Sequence, residues 1–214
     1  MPFTWDYIYE NGKLFGDSLN NSNFSLTNNK IFSYPGYNEI LTGEADSTIN
    51  SNAKIYNKNV TVLEKLNQTN NYKNKIAAFA SWDVFPYIIN DKRSGIPVNA
   101  GYMQEFNIKT PIVDFINKNQ IRTPVIWENV RLDVYTHNLA LEYIKKKRPK
   151  LVYIAYGETD DFAHGGKYDF YINSLNYTDN MIAELWGYVQ SNKFYKDNTY
   201  FIITTDHGRG IMED

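Results

Sequence analysis

The sequence predicts an α/β fold with a mainly parallel central sheet flanked by helices. Short apolar segments alternate with longer amphipathic segments, and that alternation is typical of right-handed βαβ units. Hydrophobic residues make up 43% of the 214 positions, which is enough to fill the core of one domain. We therefore expect a single domain over residues 1–214, with a cap or insertion around 83–110, where Pro and Gly interrupt the pattern.

The individual elements follow from the spacing of the apolar residues. A period of 3.6 residues marks helices, whereas a short apolar run that ends in polar residues marks a buried strand. Helices are predicted at Thr61–Gln68, Thr110–Asn119, Tyr135–Lys147 and Tyr171–Ser191. Strands are predicted at Lys75–Ala80, Pro124–Trp127, Leu151–Tyr156 and Tyr200–Thr204.

Asp206 and His207 stand side by side where the last predicted strand ends, and Gly208 follows them. The carboxyl ends of strands border the crevice in which open α/β sheets bind ligands. A carboxylate and an imidazole are both ligands for divalent metals, so this pair is a candidate metal site.

A second pair of the same kind follows the strand that begins at Leu151. Asp160 and His164 are spaced i, i+4, so both side chains share one face if this segment is helical. The alternative is an ordinary acidic helix start, since carboxylates favour a helix N-terminus. The chain has only three His, and the third, His137, lies in a predicted helix and is interpreted as structural.

Ser33 lies at or just before a predicted helix N-terminus, because Pro35 suits a first turn and Gly43 is a natural stop. It is either an N-cap or a nucleophile placed where free N–H groups and the helix dipole favour a phosphate. No general base is evident beside it, so a metal ion would have to activate the hydroxyl. The two Asp–His pairs provide candidate sites for such ions.

Taken together, these three segments resemble the alkaline phosphatase superfamily, in particular its nucleotide pyrophosphatase/phosphodiesterase and phosphoglycerate mutase-like branches. The stretch Ser33-x-Pro35 with Thr42-Gly43 is similar to a phosphodiesterase pattern in which Thr-Phe-Pro precedes a helix that ends in Thr-Gly. The resemblance implies a partial three-layer alkaline phosphatase-like core and a metal-dependent phosphatase or phosphodiesterase.

The same resemblance assigns roles to five residues. Ser33 takes the place of the nucleophile, which forms a phosphoserine intermediate and also contacts a metal. Asp160 and His164 match the pair that holds one metal, and Asp206 and His207 match the pair that holds the other. Two divalent ions are implied, with zinc expected and manganese or magnesium as alternatives. Asn50 or Asn52 is a candidate hydrogen-bond donor to the phosphoryl group.

The chain departs from the family pattern at both ends. Family members carry another metal-binding Asp before the nucleophile and another metal-binding His after the Asp-His-Gly motif, and neither has a match here. We therefore expect an incomplete domain, and a catalytically inert fragment is one alternative function. A phosphoglycerate mutase-like phosphotransferase is a second. A sulfatase is a third, weakened because Tyr37 stands where sulfatases have Arg.

The resemblance implies a small-molecule phosphoester as the substrate, and composition bears on the other classes of partner. A net charge of −2 predicts no nucleic-acid-binding surface, and no apolar run is long enough to span a membrane. The absence of Cys excludes disulfides and thiolate zinc ligands. The compartment stays open: periplasmic or exported if an N-terminal signal is missing, otherwise cytoplasmic. The oligomeric state is also left open.

Overall fold

The computed structural model describes residues 1–17, 21–104 and 108–208. In this part of the chain, no helix is both long and apolar enough to cross a membrane. Two compact units are present, and each is described by itself. Among the described residues, the first consists of Met1–Ser25 and Thr159–Thr205, and the second of Leu26–Glu158 and 206–208. The prediction of a single domain stays a prediction.

The second unit contains the sheet. Its three strands are β1 (Ile76–Ala80), β2 (Val98–Ala100) and β3 (Leu151–Ala155), in the order β2-β1-β3. Both pairings are parallel, with Ala78 opposite Val98 on one side and opposite Tyr153 on the other. The predicted α/β fold with a parallel sheet flanked by helices is therefore confirmed.

Along the chain, the helices of this unit either precede β1 or connect one strand to the next. They are α2 (Ser33–Thr42), α3 (Val62–Asn67), α4 (Phe85–Ile89), α5 (Asp91–Ser94), α6 (Pro111–Asn119) and α7 (Asp133–Lys147). Helices α2, α3, α6 and α7 agree with the sequence predictions to within about two residues, as expected for helix ends. Thr61 and Thr110 cap α3 and α6 by accepting backbone N–H groups, from Glu64 and Val113 respectively.

Both faces of β1 are covered, because successive side chains of a strand point to opposite faces. Ile76, Ala78 and Ala80 belong to one apolar cluster, together with residues of α2 and α4. Ala77 and Phe79 belong to the other, with residues of α6 and α7. Every residue of β1 is buried. The sheet is thus the middle layer of three.

The segment around 83–110 contains more regular structure than its composition predicts. It forms α4, α5 and the short strand β2, which pairs with β1. Val98, Asn99 and Ala100 are all buried. The sequence did not predict this strand, because three residues flanked by Pro97 and Gly101 are too short to show a period.

Two predicted strands are wrong. Residues 124–127 form no strand, and Val125 and Ile126 are each more than half exposed. Residues 200–204 are also unpaired in the described part of the chain, with Tyr200 94% and Ile202 91% exposed. An apolar run indicates only that a strand is possible, whereas a ladder needs a neighbouring strand edge to accept its hydrogen bonds.

The first unit is helical. A π-helical turn (Thr4–Ile8) leads into α1 (Tyr9–Asn11), and α9 (Tyr168–Ser191) is the longest helix. The buried carboxylate of Asp179 in α9 accepts the backbone N–H groups of Phe3 and Thr4, each at 2.8 Å, and the Thr4 hydroxyl at 2.6 Å. These bonds attach the N-terminal segment to α9. Helix α8 (Glu158–His164) starts after β3 and two connecting residues, and the boundary between the units follows its first residue.

Candidate metal centre

Ser33 is the first residue of α2. Phe32 before it is extended, with φ −153° and ψ 172°, so the chain enters the helix abruptly at Ser33. Gly43 ends the helix in the left-handed conformation, with φ 79°, as the sequence predicts. The residue at the N-cap position is Phe32 rather than Ser33, and the Ser33 hydroxyl instead lies 3.3 Å from His207 Nε2.

Two backbone N–H groups in the first turn of α2, which the sequence predicted to be available for a phosphate, already have hydrogen-bond acceptors. The N–H of Tyr34 donates to Asn52 Oδ1 at 2.9 Å, and the N–H of Gly36 donates to the carbonyl of Phe32 at 3.2 Å. Pro35 has no N–H group. Since its oxygen faces the Tyr34 donor, the Asn52 amide is fixed in orientation beside the nucleophile candidate.

The Nε2 atom of His207 faces the Ser33 hydroxyl and can accept a hydrogen bond from it. Its Nδ1 lies 2.9 Å from the carbonyl oxygen of Gly208, and a carbonyl can only accept, so Nδ1 carries the proton. In the neutral imidazole, Nε2 then has a free lone pair. The carboxylate of Asp206 approaches the same nitrogen, with Oδ2 at 3.6 Å, and both side chains are less than a fifth exposed.

Close backbone packing holds the Asp206–His207 segment against α2. A Cβ added at Gly36 would overlap the carbonyl oxygen of Asp206 and lie 3.0 Å from its carbonyl carbon. Burial and, to a smaller extent, the nearby charge of Asp206 raise the pKa of Tyr153 in β3. Only glycine allows this approach, so Gly36 belongs to the site although it has no side chain.

The donor atoms of one group suit a divalent ion. The group consists of Ser33, Asp206 and His207. They offer a hydroxyl oxygen, a carboxylate oxygen and an imidazole nitrogen, which are ligand types for zinc. Two ligands of a tetrahedral zinc lie roughly 3.3 Å apart when each bond is about 2 Å. The separations of 3.3 and 3.6 Å from His207 Nε2 match this spacing.

Asp160 and His164 also form a pair. The segment after β3 is helical, as predicted, and Asp160 Oδ2 lies 3.3 Å from His164 Nε2 on one face of α8. The two side chains are 37% and 67% exposed, respectively. In residues 1–17, 21–104 and 108–208, no three carboxylate, imidazole or thiolate groups cluster so as to hold an ion.

The structure therefore brings the predicted site residues together as two groups, one of three residues and one of two. Ser33, Asp206 and His207 form one group in the second unit, and Asp160 and His164 form the other on α8. That the two groups together form one two-metal centre stays a prediction. The third histidine, His137, is buried, and its Nδ1 lies 2.9 Å from the hydroxyl of Tyr156, consistent with a structural residue.

A buried polar network that the sequence analysis missed occupies the carboxyl ends of β1 and β3. Ser81, directly after β1, donates its hydroxyl to Asp133 Oδ1 at 2.5 Å. The Asp133 carboxylate also accepts the N–H groups of Gly157 and Glu158, at 2.8 and 3.0 Å. In return, the N–H of Asp133 donates to Glu158 Oε1 at 2.7 Å. The only sign of this network in the sequence is the polar residue Ser81 at the end of a predicted strand.

Burial shifts the ionisation of this network. Desolvation, followed by the charge of Glu158, raises the pKa of Asp133 to about 7, although its hydrogen bonds act in the opposite direction. Burial also raises the pKa of Glu158. Desolvation lowers the pKa of Arg131 to about 9, so its guanidinium is still charged at neutral pH. Arg131 donates to Asn99 Oδ1 at 2.6 Å and to Thr136 Oγ1 at 2.8 Å.

Comparison with known families identifies the group to which the chain belongs. A family model described as the metalloenzyme superfamily matches residues 33–212, which include all five predicted site residues. No curated protein and no solved structure matches the chain. The chain belongs to the metalloenzyme superfamily, whose members are metal-dependent enzymes of alkaline phosphatase-like fold. The predicted superfamily is thereby confirmed, whereas the branch within it stays a prediction.

Proposed function

We propose that this member of the metalloenzyme superfamily is a phosphoester hydrolase in which Ser33 is the nucleophile. The observation that carries the proposal is the 3.3 Å separation between Ser33 Oγ and His207 Nε2, with the Asp206 carboxylate facing the same nitrogen. A hydroxyl at this position lies among donors that suit a divalent ion, and such an ion would lower the pKa of the hydroxyl. Asp160 and His164 would hold a second ion.

In the first half of the reaction, Ser33 Oγ transfers its proton to water and attacks the phosphorus of a phosphate ester. The bond between phosphorus and the ester oxygen breaks, and the alcohol leaves with a proton from water. A bound divalent ion supplies the Lewis acidity that lowers the pKa of the hydroxyl and offsets the negative charge on the phosphoryl oxygens. The product on the protein is a phosphoserine at Ser33.

In the second half, water attacks the phosphoserine and restores the Ser33 hydroxyl while inorganic phosphate leaves. The helix dipole of α2 favours negative charge at Ser33 in both halves. Asn52 provides a directional donor, because its oxygen accepts from Tyr34 and its Nδ2 group is then oriented by that bond. We assign Asn52 the role of hydrogen-bonding a phosphoryl oxygen. Removing one such donor commonly costs about 10²-fold in rate.

The proposed function is tested with Ser33→Ala and the matched control Ser47→Ala, which changes an exposed serine away from the site. Zinc-loaded chain is assayed with p-nitrophenyl phosphate and bis(p-nitrophenyl) phosphate, and the protein is analysed for phosphoserine after acid quenching. We expect Ser33→Ala to lose the phosphoserine and to lower kcat at least about 10³-fold, with Ser47→Ala unchanged. Turnover by Ser33→Ala at the wild-type rate would rule out Ser33 as nucleophile.

Substrate comparisons separate the related activities. Hydrolysis of the monoester or diester supports a phosphatase or phosphodiesterase. Conversion of 3-phosphoglycerate to its 2-isomer without release of phosphate would instead indicate a phosphotransferase, and p-nitrophenyl sulfate tests for a sulfatase.

The alternative to a hydrolase is a catalytically inert chain, and one observation favours it. Within the part of the chain that the structure describes, no site has three carboxylate, imidazole or thiolate ligands, whereas a catalytic zinc generally has about three protein ligands. Ser33 provides the third donor at one site only. Metal content after dialysis discriminates between the two functions: bound zinc favours the hydrolase, and its complete absence favours the inert chain.

A further inference from the structure

We propose that Asp133 is a positioning residue that fixes the first turn of α8, the helix that carries Asp160 and His164. This inference rests on the proposed function for its catalytic meaning. It assigns a role to a buried carboxylate that the proposed mechanism does not otherwise use. Asp133 is 1% exposed and lies at the first position of α7, so it belongs to a different element from the one that it stabilises.

The geometry at Asp133 is that of a reciprocal cap between two helices. Its carboxylate accepts the N–H groups of Gly157 and Glu158, which are the last residue before α8 and the first residue within it. The Glu158 side chain accepts the Asp133 N–H at 2.7 Å. The first turn of a helix has N–H groups without partners, so each helix start here is satisfied by a side chain of the other.

Further contacts immobilise the Asp133 carboxylate itself. The Ser81 hydroxyl donates to it, and this hydroxyl also lies 2.8 Å from Thr136 Oγ1. Arg131 donates to the same Thr136 hydroxyl at 2.8 Å and is 0% exposed. The carboxylate therefore has one orientation, set by residues that follow β1 and begin α7. Asp160 and His164 lie two and six residues beyond Glu158, on the same helix, whose first residue donates to this carboxylate.

The test compares Asp133→Asn with the matched control Asp114→Asn, an exposed aspartate in the first turn of α6. Asparagine has the size of aspartate but replaces one acceptor oxygen with a donor that faces an N–H group. At pH 8, we expect amide hydrogen exchange at Gly157 and Glu158 to accelerate at least about tenfold in Asp133→Asn, with the amides of β1 unchanged. Ser81→Ala removes one hydrogen-bond donor to the Asp133 carboxylate and is expected to accelerate exchange at the same two amides by a smaller factor. It replaces Asp133→Asn in the test if that variant does not fold.

Cobalt(II) titration followed by visible absorbance provides the functional readout. We expect Asp133→Asn to weaken Co²⁺ binding that depends on His164 by about 10- to 100-fold, the usual effect of losing a residue that orients a metal ligand. The single variant Glu158→Gln keeps an acceptor for the Asp133 N–H and is expected to retain nearly wild-type Co²⁺ affinity.

The outcomes separate the two proposals. Unchanged exchange at Gly157 and Glu158 would overturn the inference, and so would accelerated exchange with unchanged Co²⁺ affinity. If the wild-type chain binds no Co²⁺ at all, the proposed function fails, and the exchange measurement alone still decides whether Asp133 fixes the turn.

Discussion

Ser33 Oγ and His207 Nε2 lie 3.3 Å apart although 174 residues separate them in the chain. His207 offers its lone pair to this contact because its other ring nitrogen donates to the carbonyl of Gly208. The contact joins the N-terminus of α2 to a segment that has no regular secondary structure. Its geometry therefore depends on how tightly the backbone of that segment packs on α2.

Gly36→Ala is expected to disrupt this contact. The added Cβ would overlap the carbonyl oxygen of Asp206, so the Asp206–His207 segment would have to move away from α2. We expect Zn²⁺ affinity to fall by at least about tenfold, measured by competition with a chromogenic chelator, because a displaced ligand costs about 1.4 kcal/mol or more.

The control for this variant is Gly187→Ala, within α9. A Cβ added at Gly187 meets nothing within 4 Å, and alanine favours a helix over glycine by about 1 kcal/mol. Gly187→Ala should therefore raise the melting temperature slightly and leave Zn²⁺ affinity unchanged. Equal Zn²⁺ affinities for Gly36→Ala and the wild type would contradict the close packing of Gly36 on Asp206.

The parts of the fold that the sequence predicted are those encoded locally. Helix α2 has a breaker at each end, and β1 is a short apolar run that ends in Ser81, so both were found close to their observed bounds. Strand β2 was missed because its three residues acquire strand character only by pairing with β1. Conversely, residues 200–204 have the composition of a strand and no partner in the described structure.

The same distinction applies to the candidate site. The pairs Asp160–His164 and Asp206–His207 could be predicted because metal ligands are conspicuous in a chain with three histidines. The role of Gly36 and the bonds of Asp133 could not be predicted, since both depend on distant segments meeting in the folded protein. An aspartate at the start of a helix has the same sequence signature whether it is exposed, as at Asp114, or buried, as at Asp133.

Metal stoichiometry tests the assignment of the two histidine pairs. We expect about two equivalents of zinc in the wild-type chain, one in His207→Ala, one in His164→Ala and none in the double variant, measured by atomic emission after dialysis. The expectation follows because each histidine supplies one of only two or three donors in its group. Two equivalents retained by the double variant would show that the metal is bound elsewhere.

The stability of the protein is expected to fall as pH rises from about 4 to about 7. Burial raises the pKa of Asp133 from 3.8 to about 7, so in this window the folded chain holds a proton that the unfolded chain releases. The free energy of unfolding then decreases with pH, by up to about 1.4 kcal/mol per unit from this group. The contribution is complete below about pH 4 and is lost as pH rises through about 7.

Two neighbours of Asp133 also have shifted pKa values. The raised pKa of Glu158 acts in the same direction, whereas the pKa of Arg131, lowered to about 9, acts only at higher pH. Asp133→Asn removes one titrating group, so its free energy of unfolding should decline less steeply between pH 4 and 7. Urea denaturation at several pH values measures this difference. Parallel curves for the variant and the wild type would refute the raised pKa of Asp133.

Arg93→Met is expected to destabilise the second unit by about 1–3 kcal/mol, because it leaves the buried carboxylate of Glu64 without its partly exposed cation. Arg93 donates from Nε and Nη2 to this carboxylate, each at 2.9 Å, and Glu64 is only 3% exposed. Adding Glu64→Gln to Arg93→Met removes the unpaired charge, so the double variant should recover part of the loss. The matched control is Lys92→Met on the exposed neighbour, which loses a contact of Nζ with the Tyr56 ring, 4.6 Å from its centroid, and should change the free energy of unfolding by less than about 1 kcal/mol. Equal urea midpoints for Arg93→Met and Lys92→Met would show that the ion pair contributes nothing to stability.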